Sequence, residues 1–321
     1  MSRSTVPKPE HGSLEWLRLR HRDSIGYPVV SASESAAVHS EHRFKTKYAL
    51  GAEKLDAEPV VTVQNRAMER GTRLEPVLVE WVADEIGQPV VEPVVMYTYA
   101  TKDASLIATL DGVVGDIENP ERVVEIKTYN KTWDESADLD GYGPLPAYWY
   151  WQGVHQAICA GVDEVLWGVF DRTLDLHLYT QHVDNAVKER HLAEVADFCR
   201  HVATGIIPDE WEHTYDDIAQ SLPVDEEPRR IDEHEPLIAQ LRAVQAEKKE
   251  LSDREDELKA QLGLALDGST VGMIGNDVAV TWKQQSRAGF NTKLFASEHP
   301  DLYSKYQSTS TYRVLRLKGG K

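Results

Sequence analysis

Val123, Glu125 and Lys127 fall on one side of the segment "RVVEIKTYNK" (residues 122–131), and Val124, Ile126 and Thr128 on the other, because successive strand side chains point to opposite faces. An acid and a base two residues apart are thus aimed the same way from an apolar run. Upstream, "SLIATLDGVVGD" (105–116) brings Asp111 to the point where an apolar strand ends. Where these two strands are neighbours in a meander, two carboxylates meet beside one lysine. Close carboxylates repel unless a cation sits between them. Oxygen ligands favour a hard ion such as Mg²⁺ or Mn²⁺. Taken alone, Glu125 and Lys127 also read as a plain surface ion pair.

Glu75 adds a third carboxylate. It shares a helical face with Gly71, Leu78, Val79, Val82 and Ile86, spaced by threes and fours, so it points inward. An unpaired carboxylate is costly there; a salt bridge to Arg73 or Arg20 is the other reading. A further helix, 146–160, lines up Tyr148, Gln152, His155, Gln156 and Cys159, a stripe too polar for a plain core helix. His155 reads as a hydrogen-bonded wall residue in preference to a zinc ligand. No G-x-S-x-G, P-loop or His/Cys zinc spacing competes for the chemistry.

The elements that must position these groups follow from pattern and punctuation. "SLEWLRLRHRDS" (13–24) reads as a short amphipathic helix, and "SASESAAVHS" (31–40) as a helix capped by Ser31 or Ser33 with Glu34 close behind. Residues 65–87 form a strong helix, with Asn65 to cap it and Gly87 to stop it. Strand signals follow near 90–99, 105–110 and 121–128. A helix at 145–161, a hairpin at 164–171 and 174–183, and a long helix at 184–204 complete this part. A meander, then a helical crossover to a further strand, implies a mixed α/β sheet.

Beyond 208 the composition changes. The chain of 321 residues carries a net charge of −18, yet residues 209–260 hold 17 Asp/Glu against 7 Lys/Arg, and residues 281–321 hold 8 Lys/Arg against 2 Asp/Glu. The acidity is concentrated, so a basic surface elsewhere stays open, and net charge alone does not exclude nucleic acid. "SLPVDEEPRR" (221–230) is a polar linker. Residues 234–262 are helical, with Leu237, Leu241, Val244, Leu251, Leu258 and Leu262 at heptad spacing and Lys248 and Glu255 interrupting the seam. "VGMIGNDVAVTWK" (271–283) is a hairpin turning at residues 275–277, and "STYRVLRLKGGK" is a basic final strand. No run of about 18 apolar residues is present, so no transmembrane helix is expected, and no secretory signal is visible. Cys159 and Cys199 are expected as buried free thiols of a reducing cytoplasm.

Asp111, thirteen intervening residues, then Glu-Ile-Lys at 125–127 resembles the PD-(D/E)XK nuclease core, with leucine where a proline usually precedes the aspartate. The blocks "WLRLR" (16–20), "VVSASESAAV" (29–38), "GTRLEP" (71–76), "TLDG" (109–112), "VEIKT" (124–128) and "YWYWQGVHQ" (148–156) narrow this to a resemblance to the YqaJ-like viral recombinase family, which includes phage lambda exonuclease. "FCRHVATGIIP" (198–208) resembles the closing helix of that family. The resemblance implies a restriction-endonuclease-like core, a mixed central sheet flanked by helices, over residues 13–210. A flexible stretch at 1–12, a linker at 211–232 and a C-terminal helical and β-hairpin addition at 233–321 are expected around it.

The resemblance also implies roles. Asp111, Glu125 and the backbone carbonyl of Ile126 would hold Mg²⁺, with Mn²⁺ as a substitute, and Glu75 would hold a second metal or its water. Lys127 would orient and help deprotonate the attacking water, and Gln152 would hold the lysine or a substrate phosphate. Arg20 matches the arginine that binds the terminal 5′-phosphate, and Ser33 and Thr109 match phosphate-contacting hydroxyls. Extra residues at "RHRDSIGYP" (20–28) make Arg22 a rival of Arg20. The implied activity is 5′→3′ exonuclease digestion of double-stranded DNA ends in the cytoplasm of a bacterial host. It would leave 3′ overhangs for a single-strand annealing protein. A homo-oligomer is implied, with a closed ring among the arrangements members use. A single-strand or structure-specific endonuclease, or an inactive DNA-end-binding module, is the alternative. Lys283, Arg287 and Lys293, interleaved with aromatic residues, are candidates for DNA contact.

Overall fold

The computed structural model describes residues 2–60, 66–139, 141–222, 224, 227–307 and 312–318. The chain divides into two compact units, Met1–Leu222 and Pro223–Lys321. Along the first run β1 (Ser2–Pro7), α1 (Leu14–Leu19), β2 (Val30–Ser31), α2 (Ser35–Val38), α3 (Lys47–Leu55), α4 (Arg66–Ile86), β3 (Val90–Val91), β4 (Val95–Ala100), β5 (Ser105–Ala108), β6 (Gly112–Gly115) and β7 (Pro120–Thr128). Then come α5 (Ala147–Ala160), β8 (Glu164–Phe170), β9 (Leu176–His182), α6 (Asn185–Thr204) and α7 (Tyr215–Ser221).

The main sheet has the order β3-β6-β7-β8-β9. β7 pairs antiparallel with β6, Gly112 opposite Val124, and parallel with β8, Glu125 opposite Trp167. Parallel neighbours need a crossover, and α5 supplies it. The expected mixed α/β sheet flanked by helices is therefore present. A second sheet, β1-β4-β5-β2, is drawn from earlier strands, with β3 of the main sheet lying between β2 and β4 in the chain. The chain leaves this second sheet at the end of β5 and enters the main sheet at β6, so Thr109, Leu110 and Asp111 occupy the junction. The short "GVVG" of β6 did not stand out as a strand of its own; its pairing with β7 identifies it.

Strand alternation sends Val124 and Ile126 of β7 to one helix and Val123 to another. Leu78 and Val82 of α4 pack on Val114, Val124, Ile126 and Leu166. Each such fully buried side chain contributes roughly 1.5–3 kcal/mol. A Cβ at Gly168 would come within 2.7 Å of Val82 and 2.9 Å of Ile126, so glycine there lets α4 lie close to the sheet. On the opposite face Trp151, Val154 and Ile158 of α5 join Val123, Val165, Trp167 and Val169 in the larger core. Beneath α5 three histidines form a chain: His155 Nδ1 meets His191 Nε2 at 3.0 Å, and His191 Nδ1 meets His39 Nε2 at 2.8 Å.

Several expectations are corrected. Residues 1–12 do not fray throughout: Ser2 to Pro7 pair with Ala100 to Val95, and Val6 packs against the cluster of Trp16, Val29, Met96 and Ile107. The ladder offered by β4 and this apolar contact together hold the strand. Helix α1 ends at Leu19, not near residue 24, because Asp23 turns the chain by accepting from Ile25 N and Tyr27 N at 3.0 and 2.8 Å. The linker expected at 211–232 begins with buried Trp211, stacked on Phe198, and with α7, whose Asp217 accepts a hydrogen bond from Thr46 of the α3 N-cap at 2.9 Å. Asn65, the expected cap of α4, lies outside the described residues.

The second unit holds the expected long helix, α8 (Glu235–Leu266), and hairpin, β10 (Val271–Ile274) with β11 (Asp277–Thr281). Gly275 has φ 62° at the turn, a left-handed conformation that glycine adopts without a steric penalty. Two further helices follow, α9 (Thr292–Glu298) and α10 (Pro300–Tyr306). Residues 312–318 are not a strand; among the described residues no sheet edge pairs with them. No helix among the described residues is long and apolar enough to cross a membrane.

Candidate active site

Glu125 is 2 % exposed, on the α5 side of β7. Burying a carboxylate is costly without donors, and three surround it. Lys127 Nζ and Gln152 Nε2 both reach Oε1 at 2.5 Å, and Gln156 Nε2 reaches Oε2 at 2.6 Å. Gln152 and Gln156 are one turn apart on α5 and so present to the same strand residue. Gly153 permits this approach, since a Cβ there would come within 2.9 Å of Trp167. Asp111 joins from the sheet junction: its Oδ2 accepts from Ile126 N at 2.8 Å. The polar stripe of the crossover helix is thus explained as the floor of a charged site.

The electrostatics are those of crowded acids. Burial, then the charges of Glu125 and Glu75, push the Asp111 carboxyl well above the usual carboxylate range. Burial and Glu125 also raise Glu75, which α4 presents half-buried. Lys127 loses hydration by burial, which favours its neutral form, but Glu125 and Asp111 outweigh that and raise it. Lys127 therefore stands as a charged donor. The salt bridge considered for Glu75 is not formed with either candidate arginine: Arg73 pairs with Glu69 at 2.6 Å, and Arg20 faces serines.

Arg20 Nη2 donates to Ser31 Oγ at 2.7 Å and Ser33 Oγ at 2.5 Å, and the guanidinium lies 3.9 Å from the centre of the Trp16 ring. Behind it, Glu34 Oε2 accepts from Ser31 N, Ser31 Oγ and buried Lys54 Nζ at 2.9, 2.8 and 3.0 Å. Burial disfavours the charge on Glu34, but Lys54 and Arg20 prevail and hold its pKa down at about 2. Arg22 is committed elsewhere, donating to the carbonyls of Gly26 and Lys54 at 2.7 and 2.5 Å.

One cleft of about 650 Å³ is lined by Arg20, Ser33, Glu75, Thr109, Asp111, Glu125 and Gln152. The structure thus brings together carboxylates, hydroxyls, an amide and a guanidinium drawn from six separate segments. Thr109 Oγ1 is buried there without a hydrogen-bond partner among the described residues. Gln156 had no role assigned from sequence, although its spacing of four from Gln152 was a signal, and Ser31, expected only as a helix cap, also accepts from Arg20. Lys8, which also lines the cleft, was hidden by the frayed reading of the first residues. Lys283, Arg287 and Lys293 are exposed residues of the second unit.

A different acidic group, Asp171, Asp175 and His177, sits at the β8–β9 hairpin with ligand atoms within 4.8 Å of one another. Asp171 already accepts from Trp133 N at 2.8 Å and from Thr173 N and Oγ1 at 2.8 and 2.5 Å. These are the bonds of a closed turn.

Residues 15–163 match the YqaJ-like viral recombinase domain. The match bears out the resemblance carried by the sequence blocks, over a shorter span than the 13–210 expected. All the cleft residues named above except Lys8 fall within this YqaJ-like segment. No curated protein matches the sequence. Among solved structures the chain is similar to the alkaline exonuclease LHK-Exo of Laribacter hongkongensis, at 26 % identity over 60 % of this chain and 94 % of that one, with a TM-score of 0.46. The same protein in complex with dAMP gives 26 % identity, the same coverage and a TM-score of 0.47. A phage-related exonuclease of Haemophilus somnus gives 10 % identity over 56 % of this chain and 95 % of that one, with a TM-score of 0.43.

Proposed function

We propose that the first unit is a Mg²⁺-dependent 5′→3′ exonuclease that degrades one strand from the ends of double-stranded DNA. The observation that carries this reading is the single cleft holding Asp111, Glu125 and Glu75 together with Arg20 and Ser33. The match to a viral recombinase domain supports it.

The donor set suits the metal. Asp111, Glu125, Glu75 and the carbonyl of Ile126 offer only oxygen, the preference of Mg²⁺ and Mn²⁺, and the repulsion that raises Asp111 is the kind a cation relieves. When bound, the metal would neutralise charge on the phosphate and lower the pKa of a water. The chain's own groups supply the rest. Lys127, kept charged, orients the attacking water or a phosphate oxygen beside Glu125. Gln152 and Gln156 hold that carboxylate still. Arg20, backed by Trp16 and by the Lys54–Glu34 pair, binds a terminal 5′-phosphate with Ser33 and Thr109. A site that grips the 5′ terminus and cuts inward from it accounts for polarity.

The product, a 3′ overhang, would pass to a single-strand annealing protein. A homo-oligomer, and DNA contact by Lys283, Arg287 and Lys293 of the second unit, belong to the same proposal. The test compares linear duplex with closed circular DNA, with and without Mg²⁺. Release of mononucleotides from 5′-phosphorylated linear ends alone is the expected result, and Lys127→Ala should lower its rate by about 10²–10⁴-fold. Cutting of closed circles would replace the reading with an endonuclease. Binding of ends without hydrolysis would replace it with an end-binding module.

A further inference from the structure

We propose that α8 joins two copies of this chain as an antiparallel coiled-coil pair. The helix is 32 residues long, about 48 Å at the usual rise, and none of its residues is buried. Helices of globular proteins draw most of their stability from packing an apolar face. Within the second unit that face is present and uncovered: Leu237, Val244, Leu251, Leu258 and Leu262 are between 45 and 64 % exposed. With Leu241, and with Lys248 and Glu255 filling the two gaps, they alternate spacings of four and three, the seam of a two-stranded coiled coil.

The two polar residues of the seam choose the occupant and its direction. In a parallel, in-register pair Lys248 would face Lys248 of the second copy, and Glu255 would face Glu255. Arg254 would also stand across the flank from Lys259. Reversing the second copy removes all three conflicts. Leu237 then opposes Leu262, Leu241 opposes Leu258, Val244 opposes Glu255 and Lys248 opposes Leu251, so that every seam position has a counterpart. Each Lys248 falls one layer from a Glu255 of the other copy, acid beside base. On the flank Glu247 of each copy meets Arg254 of the other. Polar seam residues and flanking charges are the features that set register and orientation in such pairs. The stems of Lys248 and Glu255 can lie along the apolar seam with their charges at its edge. The intrahelical pairs Arg254–Glu257 and Lys259–Glu255 are exposed surface pairs, which contribute little and can exchange.

Sedimentation of the full chain tests this independently of any nuclease activity. Leu241→Glu with Leu258→Glu should halve the assembly mass without altering the thermal unfolding of the first unit. Should those glutamates also unwind α8, the charge variants decide. Glu247→Arg and Arg254→Glu should each weaken association by about tenfold, and the two together should restore it. Leu237→Cys combined with Leu262→Cys should form a disulfide-linked dimer under oxidation, and neither single cysteine should. Unchanged mass in the glutamate variant, a cross-link in either single-cysteine variant, or failure of the charge exchange to restore association would overturn the proposal.

Discussion

Gln156 donates its amide to Glu125 Oε2 at 2.6 Å across the interface between the crossover helix and the central strand. Both side chains are buried, at 0 and 2 % exposure. The carboxylate is thereby held in one rotamer by the fold itself.

Gln156→Leu removes that donor and leaves a buried oxygen unpaired, a loss of roughly 1–3 kcal/mol. Gln156→Glu places a second carboxylate against the first and should cost more. Urea denaturation measures both. If the two variants are equally stable and as stable as the parent, Gln156 does not position Glu125.

Asp111 carries a carboxyl raised by burial and by Glu125 and Glu75. A raised acid penalises the folded state once the group must ionise, so the penalty is absent below the ordinary carboxylate pKa of about 4 and grows as pH rises above it. Asp111→Asn keeps an acceptor for Ile126 N and removes the charge. In chelator its Tm should exceed that of the parent at pH 7 and equal it near pH 3. A lower Tm at pH 7 would show that the charge is structural.

Arg20 and Arg22 should separate cleanly. Arg20→Ala is expected to erase any preference for 5′-phosphorylated ends, because it removes the guanidinium in the cleft. Arg22→Ala should keep that preference and lower thermal stability, since two backbone carbonyls lose their donor. Competition between phosphorylated and dephosphorylated duplexes reads the first effect and thermal unfolding the second. The reverse pattern would assign the terminal phosphate to Arg22.

The chain His39–His191–His155 predicts an acid-sensitive first unit. Burial, the largest cause, depresses His39 and His155 to about 3 and His191 well below its ordinary value. A depressed histidine contributes stability that is full above pH 6.5 and lost as pH falls towards the folded value. Stability should therefore decline from about pH 6.5 downward, and His155→Gln should make the decline shallower by about one proton. Parallel declines in parent and variant would remove His155 from this role.

What could be determined from the sequence alone was local and periodic. The alternation through Val123, Glu125 and Lys127 placed acid and base on one face, and Gly87 marked a helix end that the structure closes in a left-handed conformation. The order of strands and crossover helix implied the mixed sheet, and the ordered blocks from Trp16 to Gln156 carried the family resemblance. Only the tertiary structure decided which segments meet. That Asp111 lies where the chain passes between two sheets depends on β5 pairing with β4 and β2 while β6 pairs with β7 and β3, a division of partners between two sheets. That Arg20 and not Arg22 lines the cleft depends on a turn built by Asp23. Neither depends on residue type at the position itself. Such contacts arise from long-range packing and hydrogen-bond partners, which a periodic pattern constrains in facing but not in neighbour. The same division holds in α8: the heptad spacing was legible, and only the packing of the second unit showed that the seam is not buried within it.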